Sequence, residues 1–171
     1  KLGVFFIKKD DAEPRGLTDS WNKAYEFFKK RKQYDNLILS NNDLLVPSGT
    51  IDKLTTTLNA GWDWLLPIVS KRGSPYPYHT LPDIYDSKLD YNEWSNSPLF
   101  FSKVQEILNL QNSESVVKKI VQPNGYFMAF RRDALEKNSF SDANLFNPKF
   151  INIGNEDELA RRFLKNKGNI G

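Results

Sequence analysis

Asn41, Asn42 and Asp43 stand in a row where a short apolar run, Leu37-Ile38-Leu39, breaks off. Two amides and one carboxylate there suit ribose hydroxyls and a hard cation carrying phosphates. The same residue types favour turns, so a plain polar strand end is the competing explanation. A second polar group, Glu156-Asp157, lies in the first turn of the last helical stretch. Acids at that position stabilise any helix through its macrodipole, which accounts for them without a function. The third candidate is segment 71–96, rich in Pro, Tyr, Ser and Asp, with Tyr76, Tyr78, His79, Tyr85, Tyr91 and Trp94. Long loops in compact domains are usually functional or mobile. Its aromatics and carboxylates suit either a sugar-stacking surface or simple anchoring of the loop. His79 has the chemistry of a base or ligand, although a lone loop histidine is more often neither.

The elements that must position these groups follow from the hydrophobic pattern. The run 37–39, resumed at Leu44-Leu45-Val46 and stopped by Pro47, has the length of a buried strand in an α/β sheet. Such sheets bind ligands beyond the carboxyl ends of their strands. Leu2 to Ile7 suggests a strand before it. Leu17, Trp21, Ala24, Tyr25 and Phe28 share one helical face, with Thr18 or Asp19 as cap. Lys29-Lys30-Arg31-Lys32 then falls at that helix's C-terminus, where cations are favoured. Ser48-Gly49 opens a second helix, with Ile51, Leu54 and Leu58 on one side and Gly61 past its end. Trp62 to Val69 suggests a strand that Pro67 confines to an edge or a bend. Ser97-Pro98 starts a helix. Val116–Val121 suggests a strand, Asn124-Gly125 a turn, and Tyr126–Phe130 another strand before a short helix at 131–135. Asn155 with Glu158 three residues on resembles a capping box for the final helix. Alternating strands and helices favour α/β with a mixed, mostly parallel sheet flanked by helices.

Bulk properties narrow the function classes. The 171 residues, 39% apolar and 13% aromatic, suit a single domain with a core. The net charge of +3 is spread thinly, unlike the dense basic face of a nucleic-acid binder, so nucleic acid is not an expected partner. With no cysteine and one histidine, disulfides, thiolate sites, cysteine nucleophiles and multi-histidine metal centres are excluded. No apolar stretch approaches the ~20 residues that span a bilayer.

Three separated segments together resemble the family 2 glycosyltransferases. The first is Arg15-Gly16-Leu17-Thr18-Asp19-Ser20-Trp21-Asn22-Lys23-Ala24, similar to the family's glycine-to-asparagine helix start. The second, Leu37 to Asp43, is similar to its metal-binding Asp-x-Asp strand end in an Asn-Asn-Asp form. The third runs from Asn124-Gly125 through Arg131-Arg132 to Gly154-Asn155-Glu156-Asp157-Glu158, similar to a Gly-containing strand followed by a Glu-Asp pair opening a helix. The resemblance covers nearly the whole chain. The family's opening strand-helix-strand unit, about 60–80 residues on the scale of a typical domain, has no counterpart. The chain is therefore expected to be one glycosyltransferase-like domain, 1–171, lacking that unit.

The resemblance implies a GT-A-like (nucleotide-diphospho-sugar transferase) fold. It also implies inverting, metal-dependent transfer of a sugar from a nucleotide-sugar donor to a glycan, lipid-linked or protein acceptor, as in polysaccharide biosynthesis. Asp43 would hold Mn²⁺ or Mg²⁺, and Asn41 and Asn42 would contact the nucleotide. Gly125 and Arg131 would line the donor site. Asp157 would be the base, with Glu156 beside it, both kept ionised by the helix N-terminus. Asn41 replaces the family's first aspartate, which shifts weight to Asp43. The implied location is cytoplasmic or peripheral at the cytoplasmic membrane face, with any membrane contact made through regions outside this chain. Two other readings fit the residues. Nucleotidyl transfer to a sugar phosphate predicts a Gly-rich triphosphate loop that these residues do not contain. A non-catalytic glycan- or protein-binding module with a degenerate fold is permitted by Asn41.

Overall fold

The computed structural model describes residues 2–7, 16–42, 44, 46, 48–67, 69–70, 80–81, 98, 102, 105 and 117–171. The chain divides into two compact units, Lys1–Leu66 with Lys119–Gly171, and Pro67–Lys118. The first unit holds α1 (Gly16–Lys29), β1 (Asn36–Ser40), α2 (Thr50–Asn59) and β2 (Trp64–Leu65). In the second unit, β3 (Val69–Ser70) and β4 (Thr80–Leu81) pair in parallel. The chain then completes the first unit with β5 (Phe127–Arg131), α3 (Arg132–Asn138) and α4 (Asn155–Lys165).

The fold is mixed α/β, with a three-stranded sheet in the order β1-β5-β2. Alternation of elements favours mostly parallel pairing, but both ladders of this sheet are antiparallel. The physical reason is an insertion. β1, α2 and β2 form a strand-helix-strand unit whose strands run parallel to each other, and β5 returns between them in the opposite sense. The register runs from Asn36↔Arg131 to Ser40↔Phe127. It brings the C-terminal end of β1 beside the start of β5.

The core lies where α1, α4 and the sheet meet. Trp21, Tyr25 and Phe28 bury the expected face of α1 against Phe130, Phe146 and Phe163. Trp64 packs its ring 4.9 Å from Phe130 and 5.4 Å from Phe163. Each side chain of this size contributes about 1.5–3 kcal/mol on full burial.

Several local expectations hold. α2 starts after Gly49 and is followed by Gly61, both with positive φ (81° and 110°) that suits glycine. The strand expected over 62–69 lies at a sheet edge but is shorter, Trp64–Leu65, and ends before Pro67. From the basic run Arg31 does close the end of α1, its Nη1 donating to the Phe27 carbonyl at 3.1 Å, whereas Lys29 Nζ donates to the Asp142 carbonyl of a distant loop at 2.6 Å.

Others are corrected. Residues 2–7 form no ladder among the described residues. Phe5 packs its ring, tilted by 60°, 4.3 Å from that of Phe27, while Leu2, Val4 and Phe6 face solvent. Residues 117–120 are likewise not a strand, although the Ile120 N–H donates to the Ile170 carbonyl at 3.0 Å. Thr18 does not cap α1, because α1 begins at Gly16 and Thr18 is buried inside it. The capping box of α4 does not form either. Gly154 occupies the cap position with φ 79°, and Glu158 pairs with Arg162 one turn on. Asn155 turns its side chain to α1 instead.

Candidate functional site

The antiparallel pairing of β1 with β5 sets up the site. Just past β1, the Asn41 N–H donates to the Tyr126 carbonyl at 2.9 Å. Asn41 therefore sits against the turn that leads into β5. Asn124, buried in that turn, accepts the Tyr126 N–H at 3.4 Å. Gly125 between them has no room for a side chain. A Cβ there would lie 2.7 Å from Cη2 of Trp21 and 3.2 Å from Oε1 of Glu156. Thus α1, the strand end, the turn and the first turn of α4 converge at one end of the sheet.

A buried polar seam fixes α4 to α1. Asn155, fully buried, donates from Nδ2 to the Thr18 hydroxyl at 2.9 Å and accepts the Glu156 N–H at 2.9 Å. The Thr18 hydroxyl donates to the Phe150 carbonyl. The Thr18 N–H donates to the Ile151 carbonyl at 3.1 Å, and the Leu17 N–H to the Asn152 side chain at 2.9 Å. Asn22 clasps the backbone of Phe146 from both sides, accepting at 2.8 Å and donating at 3.0 Å. These bonds make the irregular stretch 146–153 a fixed approach to Glu156. Sequence reasoning placed Asn22 in a motif but gave it no partner. Thr18 and Asn155 look like ordinary caps, and only the long-range pairing reveals their work.

The electrostatics depart from expectation at Glu156. Burial pushes its carboxyl above the ordinary glutamate value, and the neighbouring Asp157 adds to the rise. The lowering contributed by its own backbone N–H is outweighed. The expectation that the helix start lowers the proton affinity of Glu156 is thereby corrected, because desolvation outweighs it at this partly buried carboxyl. Glu156 Oε2 is buried and has no hydrogen-bond partner among the described residues. Asp157, next in the chain, is half-buried.

Of the expected site residues, Asn41, Gly125 and Glu156 come together, and Asp157 follows Glu156 in the same helical turn. Asn42 follows Asn41 at the same strand end. Asp43 and His79, with most of 71–96, lie outside the described residues. Arg131 is at the other end of β5, roughly 13 Å away at the usual rise per strand residue. There its guanidinium is held by Asp63 at 2.8 Å and Asp133 at 2.5 Å. Arg132 closes the end of α1, donating to the carbonyls of Phe28, Arg31 and Tyr34 and stacking on Phe28. A shallow cleft of about 220 Å³ opens at that far end, lined by Asp63, Arg131, Lys137 and Lys167 among others. Its arginine is already neutralised by two carboxylates, so it offers no site for the expected chemistry. Asn41 and Asn42 carry side-chain carbonyl oxygens of a kind that a hard divalent cation accepts, while Asp43, the expected ligand, lies outside the described residues. Among the described residues no cluster of three or more His, Cys, Asp or Glu side chains is placed to hold a metal. No helix among them is long and apolar enough to cross a membrane.

Comparison of the chain with models of protein families, with curated proteins and with solved structures returned no match.

Proposed function

We propose that this chain carries the acceptor side and part of the donor side of a GT-A-like glycosyltransferase site. The reaction would be inverting, metal-dependent transfer from a nucleotide sugar to a hydroxyl acceptor. The observation that supports this most is the convergence at the Asn41 end of the sheet. Segments 16–24, 37–42, 124–126 and 154–158 are far apart in sequence, and each belongs to the resemblance described above.

The chemistry assigns roles to the residues gathered there. The acceptor hydroxyl attacks the anomeric carbon, the bond from that carbon to the diphosphate oxygen breaks, and inversion results. The hydroxyl proton passes to a carboxylate at the start of α4, Asp157 or its neighbour Glu156. The side-chain amides of Asn41 and Asn42 are suited to ribose hydroxyls at the strand end. A divalent cation held by Asp43 would neutralise the leaving diphosphate. Arg131 has no part in this arrangement, because its end of β5 is remote.

The test is calorimetric titration of UDP, GDP and TDP into the protein, with and without Mn²⁺, alongside the Asp43→Ala variant. The expected result is binding of one nucleotide that needs Mn²⁺ and is weakened at least tenfold in the variant. Binding indifferent to both the metal and Asp43, or no binding at all, overturns the reading.

A further inference from the structure

Trp21 belongs, by the spacing of α1, to the helix's core face, and its ring does pack 5.0 Å from Phe146. Its far edge does something that this packing does not require. Cη2 of Trp21 and Oε1 of Glu156 both lie within 3.2 Å of the point where a Gly125 Cβ would stand. The indole edge and the carboxyl therefore both border the small space beside Gly125, which a side chain there would enter only by displacing the indole. Gly125 has no positive φ to explain it, so the need is for space alone.

We propose that Trp21 is a positioning residue for the Glu156 carboxyl: its indole edge, reaching across Gly125, shields that carboxyl from water and fixes where it sits. Gly125 then serves as the gap that lets indole and carboxyl meet, rather than as a direct ligand contact. Where the proposal concerns transfer chemistry it rests on the function proposed above, but the placement of the carboxyl can be tested without it.

Among the described residues few other causes of the carboxyl's behaviour are present. On its own helix Asp157 is the charged group that acts on it. On α1, Asp19 and Lys23 are paired with each other at 2.9 Å. The turn contributes Tyr126, half-buried and uncharged, and the β1 end contributes the neutral Asn41. Desolvation is the largest cause of the raised proton affinity, and the indole edge across Gly125 supplies apolar surface there. A buried carboxyl oxygen without a partner is costly. An enclosed carboxyl of this kind is suited to take the hydroxyl proton of a ligand.

The experiment is a ¹³C NMR pH titration of the glutamate carboxyls in the whole chain. It compares wild type, Trp21→Phe and Gly125→Ala, with Glu156→Gln to identify the resonance. Trp21→Phe keeps an aromatic ring on Phe146 while withdrawing the far edge, and so carries the test even if Gly125→Ala does not fold. In wild type the Glu156 carboxyl titrates above the ordinary glutamate value of 4.5. In the variants its titration shifts down towards that value, and the acidic limb of any transfer activity shifts the same way. An ordinary titration in wild type, or a raised one that Trp21→Phe leaves in place with the fold intact, overturns the proposal. If the NMR shift occurs but no nucleotide binds, the positioning stands and the glycosyltransferase reading falls.

Discussion

Glu156 shows how position can defeat a local rule. A glutamate in a first helical turn should be held ionised by the macrodipole. Here burial outweighs that effect and raises the carboxyl's affinity for its proton. The consequence for stability has a definite sign. The folded chain binds this proton more readily than the unfolded chain. Its contribution is therefore fully present below the unfolded value near 4.5 and is lost as pH rises through the raised folded value. Glu156→Gln removes that loss. The variant should melt at a higher temperature relative to wild type at neutral pH than it does below the ordinary glutamate value. Calorimetric melting at both pH values checks this, and a difference that does not grow with pH refutes it.

At the scale of elements, α1 does the organising, and it does so with polar groups as much as apolar ones. Its aromatic face was legible because Trp21, Tyr25 and Phe28 recur at helical spacing. Its polar seam was not, since Asn22 and Thr18 find partners 124 and 132 residues away. Asn22→Ala would strand the N–H and carbonyl of Phe146 in a buried setting, at a cost of about 2–4 kcal/mol. It should also loosen stretch 146–153, seen as faster amide exchange there together with a lower urea midpoint. Unchanged exchange would mean that the aromatic packing of Phe146 suffices. Helix boundaries were readable where glycine marks them, at Gly49 and Gly61. They were misjudged where a cap-type residue is claimed by tertiary structure, as with Thr18 and Asn155. Strand pairing was legible only in part for a related reason. The alternation of elements fixes the order β1-α2-β2 but says nothing of a later strand slotting between them. The site was half legible: the motifs were visible, yet only the register of β5 separates Gly125 from Arg131.

Across the first unit, the two ends of one short sheet carry different burdens. The Asn41 end gathers an enclosed carboxyl, neutral amides and a tight glycine, an arrangement with unmet hydrogen-bonding capacity. At the Arg131 end the guanidinium is paired with both Asp63 and Asp133. Asp63 accepts from Arg131 Nη2 at 2.8 Å and from the Asn169 N–H at 2.8 Å, while its carbonyl accepts the Arg131 N–H at 3.1 Å. One residue thus ties β2, β5 and the C-terminal segment, which continues to Ile170 and its bridge with Trp64. Asp63→Ala leaves a partly buried guanidinium and a backbone N–H without that carboxylate, and should cost about 1–3 kcal/mol in urea unfolding. Because the lesion sits at the far end of the strands, nucleotide titration of the folded variant should match wild type. If Asp63→Ala instead weakened nucleotide binding as much as Asp43→Ala, the division between a structural end and a chemical end of the sheet would be wrong. The cleft beside Arg131 would then have to be considered as the binding site.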